Sequence, residues 1–220
     1  MMLRSGLAAL LLLTMLLPIR AAATDPAAAC LDAAGLAERN WTLPSDLIGA
    51  IGRVESGRYD QATGHVSPWP WTVNANGSGS WFASRADAVA FVRTLQSHGV
   101  RLIDVGCFQV DLYYHPAAFS SLEEAFDPAA NADYAARFLT FLHGQSGSWP
   151  AAIAGYHSGL AIEGESYRRK VMIQWGSGGG LPASTAALAP GPAVRPQLST
   201  RDRYVVLMSA NARAIRVIGP

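Results

Sequence analysis

The sequence predicts a mainly α domain that carries a short loop or β-hairpin flap. Two features of the chain indicate this fold class. Apolar residues recur at helical spacing through most of the chain after residue 23, whereas residues 58–82 place Gly, Pro, Asn and Ser between aromatic residues. A chain of 220 residues that is 50% hydrophobic and 15% charged can bury one core, which predicts one domain with extensions.

Residues 1–23 have the pattern of a secretory signal peptide. Arg4 precedes a continuous apolar run over residues 6–17, and three alanines at 21–23 suit cleavage. Because the run is shorter than the roughly 20 residues of a membrane span, we expect a periplasmic or secreted protein with no stable membrane span after cleavage. A lipid anchor on Cys30 is the alternative, but no Leu stands three residues before it and the apolar run ends well upstream.

Cys30 and Cys107 are the two cysteines of the chain, and an even count in an exported protein predicts one disulfide. The loop that it would close is long, so the chain-entropy model gives a stabilisation of about 4 to 5 kcal/mol. Two buried free thiols are the alternative.

Residues 27–38 predict a short helix that carries Cys30 near its start, leaves Asp32 and Glu38 outside and packs on the next helix. That next helix lies within residues 44–57. Its inward face combines four apolar residues with one acid, which are Leu47, Ile48, Ile51, Val54 and Glu55.

Glu55 lies in the last turn of this helix, which Thr42 or Ser45 would cap and Gly57 would end in the left-handed conformation. The negative end of the helix dipole and partial burial both disfavour a carboxylate at that point. We therefore expect Glu55 to have a raised pKa and to serve as a general acid at neutral pH. The alternative is a glutamate that turns to solvent.

The aromatic segment 58–82 contains one clear turn signal, because Asn76-Gly77 is typical of a tight hairpin. Trp69, Trp71 and Trp81 all fall in this segment. Flat indole faces stack on sugar rings as readily as they fill a core. We expect at least one of the three at a ligand groove.

Four more helices are predicted, at 84–99, 127–144, 149–156 and 165–175, while residues 101–119 follow neither the helical nor the strand period. The first should begin with a capping box of Ser84 and Asp87, and the second with Asp127 and Pro128. The face of the second should consist of Tyr134, Phe138, Phe141 and Leu142.

The chain after residue 176 changes to low-complexity Gly, Ala, Pro and Ser. This composition buries too little apolar surface to order itself, so residues 177–220 are predicted to be a disordered C-terminal tail and the domain to span 24–176. The apolar stretch within 201–220 fits either a docking peptide or a disordered tail.

Residue types exclude several functions. The five histidines have no metal-ligand spacing, so no metal is expected, and neither a GxSxG motif nor a Gly-rich phosphate loop occurs. A net charge of +1 without a basic or acidic run predicts no nucleic-acid partner. What remains is Glu55, together with polar and aromatic residues at loop positions in three later segments.

Four short motifs, in this order, resemble those of the soluble lytic transglycosylase (SLT) domain family: VESG at 54–57, DVGCFQV at 104–110, AGYHSG at 154–159 and SYRRKV at 166–171. The resemblance covers roughly residues 30–175 and is closest to the small exported members that accompany secretion systems and flagella. It implies a lysozyme-like fold, glycan strands of peptidoglycan as substrate, a secretion or flagellar assembly as partner, and no cofactor.

The resemblance also implies roles for single residues. Glu55 matches the catalytic acid/base of the family, and Ser56 matches the serine that supports it. Gly106 and Gln109 match the ends of the family's G-L-M-Q motif, whose Gln contacts the glycan at the cleavage site. The intervening Cys107 and Phe108 depart from the Leu-Met of that motif, and Cys107 suits the disulfide better than a groove contact.

Two tyrosines complete the implied site. Tyr156 matches the Tyr that lines the groove in the A-Y-N-x-G motif, and Tyr167 matches a late Tyr whose hydroxyl lies near the catalytic carboxylate. His157 departs from the usual Asn, although a neutral imidazole could make the same hydrogen bond to substrate.

The implied reaction cleaves the β-1,4 bond between N-acetylmuramic acid and N-acetylglucosamine and leaves a 1,6-anhydromuramoyl end. It needs one carboxyl group, whereas a retaining or inverting hydrolase usually needs two. One alternative is a goose-type muramidase with Asp60 or Asp104 as its second carboxylate. The other is a non-catalytic peptidoglycan-binding module in which Glu55 is structural.

Overall fold

A computed structural model describes residues 25–61, 63–177, 205–207 and 216–218. The predicted signal peptide and most of the predicted tail lie outside the described residues. The helices are Pro26–Asn40 (α1), Leu47–Glu55 (α2), Arg85–Ser97 (α3), Leu122–Ala125 (α4), Pro128–Ser146 (α5), Trp149–His157 (α6) and Ala161–Ser177 (α7). The mainly α fold class is confirmed. None of the helices in the described part of the chain has the length and apolar character needed to cross a membrane.

The larger core lies among α1, α2, α5, α6 and α7. Leu47, Ile48 and Ile51 are fully buried in it, so the predicted inward face of α2 is confirmed. The predicted disulfide is also confirmed, because Cys30 of α1 is bonded to Cys107 with their Cα atoms 5.8 Å apart. This bond ties the first helix to the segment that carries Gly106 and Gln109.

The β structure is more extensive than the predicted flap. One antiparallel hairpin pairs Gly57–Asp60 (β1) with His65–Pro68 (β2). A second sheet has the order β4-β3-β5-β6 and consists of Thr72–Ala75 (β3), Ser78–Trp81 (β4), Ile103–Val105 (β5) and Val110–Asp111 (β6). In the C-terminal region, Val205–Leu207 (β7) pairs with Arg216–Ile218 (β8).

The second sheet arises because the stretch 101–119, which follows neither period, supplies two short strands. The predicted turn at Asn76-Gly77 is confirmed, since both residues have positive φ (52° and 84°) and join the paired residues Ala75 and Ser78. One face of the sheet packs with α3 and Phe126 in a smaller core.

The start of α2 differs from the prediction in a way that matters for the site. Glu38, expected on the outside of α1, is 6% exposed. Its carboxylate accepts hydrogen bonds from the backbone N–H groups of Asp46 (2.8 Å), Ile48 (2.8 Å) and Gly49 (3.2 Å). The cap of α2 therefore comes from another helix rather than from Thr42 or Ser45.

The end of α2 also departs from the prediction. Gly57 does not adopt the left-handed conformation but begins β1, and Ser56 (φ −123°) is the residue that ends the helix. A Cβ atom at Gly57 would lie 2.1 Å from the carbonyl oxygen of Arg53. The glycine is needed for this close approach, not for a left-handed turn.

Three smaller predictions were wrong in position. Helix α5 continues past Gly144 to Ser146, and Gly147, with φ 66°, is its left-handed cap. Phe141 on that helix is 42% exposed, and Leu139 is buried instead. Helix α7 begins four residues before the predicted 165, at Ala161. The capping box of α3 and the Asp127 start of α5 are confirmed.

Replacing Glu38 by Ala should lower the free energy of unfolding by on the order of 2–4 kcal/mol, because buried backbone N–H donors lose their acceptor. Glu38→Gln keeps an acceptor oxygen and should lose less. The exposed Asp32 of the same helix supplies the control, since Asp32→Ala should change stability by less than about 0.5 kcal/mol. Urea unfolding measures all three, and a Glu38→Ala protein as stable as the control would contradict the capping role.

Candidate active site

Glu55 is the last residue of α2, and its half-buried carboxyl group faces α7. Burial raises the pKa of Glu55 to about 7. The Tyr167 hydroxyl and the Lys170 ammonium, both on α7, favour the ionised form and oppose part of this rise. The physical cause expected from the sequence, loss of water around the carboxyl, is the dominant one.

Tyr167 is 4% exposed, and its hydroxyl is buried without a hydrogen-bond partner among the described residues. The hydroxyl is close enough to Glu55 to lower the pKa of that carboxyl but does not form a bond of normal length and angle. Burial raises the pKa of Tyr167 well above its ordinary value, so it carries its proton. It is therefore a donor that can hydrogen-bond an ionised Glu55.

Two further predicted residues stack on Tyr167. The ring of His157 lies parallel to it at a centroid distance of 4.6 Å, and the ring of Tyr156 lies 6.5 Å away on a similar plane. Partial burial lowers the pKa of His157, so its imidazole is mostly neutral at pH 7. The Tyr156 hydroxyl donates to the carbonyl oxygen of Phe108 (2.9 Å), which joins α6 to the segment 106–109.

Gln109 has a positive φ (48°), and its side-chain nitrogen donates to the carbonyl oxygens of Gly106 (2.9 Å) and Thr72 (3.2 Å). With the nitrogen committed in this way, the amide oxygen is the atom that can accept a hydrogen bond from a ligand. The structure therefore holds Gln109 in one orientation beside the carbonyl that Tyr156 contacts.

Ser56 and Gly106, both predicted to bind substrate, are buried among protein atoms. The Ser56 hydroxyl donates to the carbonyl oxygen of Cys107 (2.6 Å) and accepts from the N–H of Trp69 (3.1 Å). Gly106 has φ 84°, and a Cβ there would lie 2.5 Å from the Asn131 amide. These two residues contact protein groups and so stabilise the segments that surround the site.

Sequence reasoning missed Asn131, whose side chain holds the segment 105–108 in place. Its side chain accepts from Phe108 N–H (2.9 Å) and donates to the carbonyl oxygens of Val105 (3.1 Å) and Ala125 (3.0 Å). An amide on the apolar face of α5, four residues before the buried Ala135, was the available signal.

A second acidic group lies near Glu55. Asp104 on β5 and Asp111 on β6 are register partners, so their side chains share one face of the sheet. Burial raises the pKa of Asp104 to about 8, with repulsion from Asp111 and Glu55 adding to the rise. Burial also raises the pKa of Asp111, but N–H donors from Tyr113 and Tyr114 oppose that rise. Burial therefore favours the protonated form of Asp104.

The other carboxylate considered from the sequence, Asp60, stands at the end of β1, exposed to solvent, and accepts a hydrogen bond from Thr63 (3.0 Å). Asn74, the register partner of Asp104 on β3, has a buried side-chain oxygen that accepts no hydrogen bond from the described residues.

A cavity of about 280 Å³ opens next to Glu55. It is lined by Val54, Glu55, His157, Glu163, Ser166, Tyr167 and Lys170. Three of the predicted site residues thus meet at one cavity, and Glu163, Ser166 and Lys170 are additions that the sequence did not indicate. Within the described residues, no group of three or more His, Cys, Asp or Glu side chains could hold a metal ion.

The mainly helical domain with its small β flap is a lysozyme-like fold. The family model described as "Transglycosylase SLT domain" matches residues 32–171, and the chain belongs to this family. The family supports a lytic transglycosylase-type role in cleaving peptidoglycan, and SLT domains are typically extracellular or periplasmic. Comparison with curated proteins and with solved structures gave no match.

Lys170→Met should move the alkaline limb of peptidoglycan cleavage to higher pH. Lys170 stabilises the ionised form of Glu55, so its removal raises the pKa of Glu55 further and keeps the acid protonated at higher pH. Each rise of about 0.3 in that pKa roughly doubles the protonated fraction on the alkaline side. The pH dependence of kcat/KM measures the change, and Arg169→Met, an exposed cation on the same helix, is the matched control. An unchanged or acid-shifted limb would contradict the assignment.

Proposed function

We propose that this protein is a peptidoglycan lytic transglycosylase that cleaves the bond between N-acetylmuramic acid and N-acetylglucosamine, with Glu55 as its single acid and base. The observation that carries the proposal is the burial of Glu55, which raises the pKa of its carboxyl to about 7. An acid with that pKa is partly protonated at neutral pH and regains a proton readily, as a group that both gives and takes a proton must.

In the first step, protonated Glu55 donates its proton to the glycosidic oxygen as the bond from C1 to that oxygen breaks. The N-acetylglucosamine portion leaves with the proton, and an oxocarbenium-like centre remains at C1, assisted by the neighbouring acetamido oxygen. In the second step, the C6 hydroxyl oxygen of the same sugar attacks C1 while ionised Glu55 takes the hydroxyl proton. Glu55 ends protonated, the product carries a 1,6-anhydro bond, and no water or cofactor takes part.

The surrounding side chains suit these steps. The unpartnered Tyr167 hydroxyl can donate to Glu55 when the carboxyl is ionised between the two steps. The Gln109 amide oxygen and the neutral His157 imidazole are proposed to contact the glycan, with Tyr156 lining the groove. Ser56 and Gly106 are proposed to act as supports, because their contacts are with protein groups.

The charge state of Asp104 favours this chemistry over that of a goose-type muramidase. A retaining or inverting hydrolase usually needs a second, ionised carboxylate near the scissile bond, as nucleophile or as base for a water. Asp104 is near Glu55, but its pKa of about 8 leaves it protonated at pH 7. A protonated carboxyl can neither attack C1 nor activate water.

The cellular setting is proposed on other grounds. We propose that residues 1–23 direct export to the periplasm or the exterior and that 24–176 form the catalytic domain, with 177–220 as a tail. The Cys30–Cys107 disulfide fits an oxidising compartment. Service to a secretion or flagellar assembly rests on the resemblance of the motifs to the small exported members of the family.

Glu55→Gln should fold normally and lose cleavage of isolated cell walls by at least about a hundredfold, because an amide has the shape of the acid but cannot transfer its proton. Glu165→Gln, on the exposed side of α7, is the control and should retain activity. Loss of turbidity of a cell-wall suspension measures the rate. A Glu55→Gln protein that keeps a tenth of the parental rate would contradict the assignment. If the unmutated protein has no activity, the result supports the alternative of a binding module.

Asp104→Asn should keep the rate within about threefold, because the amide reproduces a neutral, hydrogen-bonding side chain, whereas a hydrolase would lose its second carboxylate. Mass spectrometry of the muropeptides released in ¹⁸O water supplies the second readout. Anhydro ends without ¹⁸O are expected. Reducing ends that contain ¹⁸O, together with an inactive Asp104→Asn protein, would establish the muramidase instead.

A further inference from the structure

One face of the four-stranded sheet packs in the smaller core, and the other face does not. Side chains of register partners lie on the same face of a sheet, and neighbours along a strand alternate. Val73, Val105 and Ile103 define the face that packs in the smaller core. The opposite face carries Trp81 beside Thr72, then Gly79 and Asn74, then Asp104 and Asp111.

This second face is directed towards the candidate active site. Asp104 lies on it, and the charges of Asp104 and Glu55 influence each other and the Tyr156 hydroxyl. Trp81 lies at its β4 edge, and the indole N–H donates to the carbonyl oxygen of Ser56 at 3.3 Å. Because Ser56 follows Glu55 directly, the hydrogen bond holds the indole next to the end of α2.

Trp81 is unusual among the tryptophans of the flap. It is 53% exposed, while Trp69 and Trp71 pack edge to face with each other and are partly buried. The N–H of Trp81 is satisfied by protein, so the part that remains open to solvent is apolar ring surface. An exposed but tethered aromatic ring keeps its orientation without a ligand and loses little freedom when one binds.

The residue that shares this strand face with Trp81 is Gly79. A Cβ at Gly79 would meet no atom within 4 Å, so the space over this residue is open. Gly79 lies within β4 without a positive φ, so its backbone does not require a glycine. We call the surface formed by the exposed Trp81 indole and the open space over Gly79 the notch.

We propose that this notch, formed by Trp81 and Gly79, is a sugar subsite in which one N-acetylhexosamine ring of a β-1,4-linked glycan stacks on the indole. The proposal rests on the proposed function for the identity of the ligand. A β-linked pyranose presents a flat face of C–H groups, which matches an exposed indole in shape and polarity. The tether to Ser56 places the stacked ring on the same glycan strand that Glu55 would protonate. Trp81 thereby helps to position the glycan strand so that the correct glycosidic bond lies at Glu55.

Binding of chitohexaose to the full chain tests this subsite, with Glu55→Gln as the common background so that no turnover occurs. Trp81→Ala should raise Kd about tenfold or more, whereas Trp81→Phe, which keeps a stacking face but loses the tether, should stay within about threefold. Gly79→Val fills the notch without altering the indole and should raise Kd about fivefold or more. Ser78→Val, the adjacent residue on the opposite face of β4, should change Kd by less than about twofold.

Calorimetric titration gives the Kd values, and thermal melting confirms that each variant is folded. The proposal is overturned if the parental background does not bind chitohexaose, if Trp81→Ala binds as the parent does, or if Ser78→Val weakens binding as much as Gly79→Val. Weakened binding by Trp81→Ala and Gly79→Val supports the subsite even where the cleavage products prove hydrolytic. Binding therefore tests the subsite, and the cleavage products separately test the proposed chemistry.

Discussion

The carboxyl group of Glu55 is held away from water at the end of a helix, and most of the architecture serves to keep it there. Glu38 of α1 fixes the beginning of α2 through three backbone N–H groups, and Ser56 fixes its end to Cys107 and Trp69. The disulfide then ties Cys107 back to α1. These contacts and the covalent bond fix both ends of the helix that carries the half-buried acid.

Three influences act on that acid, and their balance sets its chemistry. Burial raises the pKa, while the Tyr167 hydroxyl and the Lys170 charge lower it, and burial is the largest of the three. The outcome near 7 suits a group that must be protonated at the start of a reaction and ionised in the middle. The sheet contributes differently, because burial raises the pKa of its Asp104 to about 8 and so favours the protonated form of this second carboxyl.

Periodicity and local signals predicted six of the seven described helices, the inward face of α2, the Asn76-Gly77 turn and the disulfide, because each depends on residues close in sequence or on a simple count; the one-turn helix α4 was missed. They failed where the local structure depends on a residue that is distant in sequence. Glu38 resembles a surface acid until α2 is placed against it, and β5 and β6 are too short to show a period before β5 pairs with β3 and β6 pairs with β5. The proposed roles of Gln109, Tyr156 and Tyr167 rest on the resemblance of motifs, since no local pattern in the sequence indicates them. Trp81 was one of three equal candidates until the structure showed which indole is exposed.

The central claim is that the Glu55 carboxyl retains its proton near neutral pH because it is buried. Carbon-13 NMR of the side-chain carboxyl, assigned by comparison with Glu55→Gln, measures this titration directly in the full chain. The account predicts a midpoint near the value of about 7 that burial gives the Glu55 pKa. A midpoint near 4.5, the ordinary value for a glutamate, would contradict it.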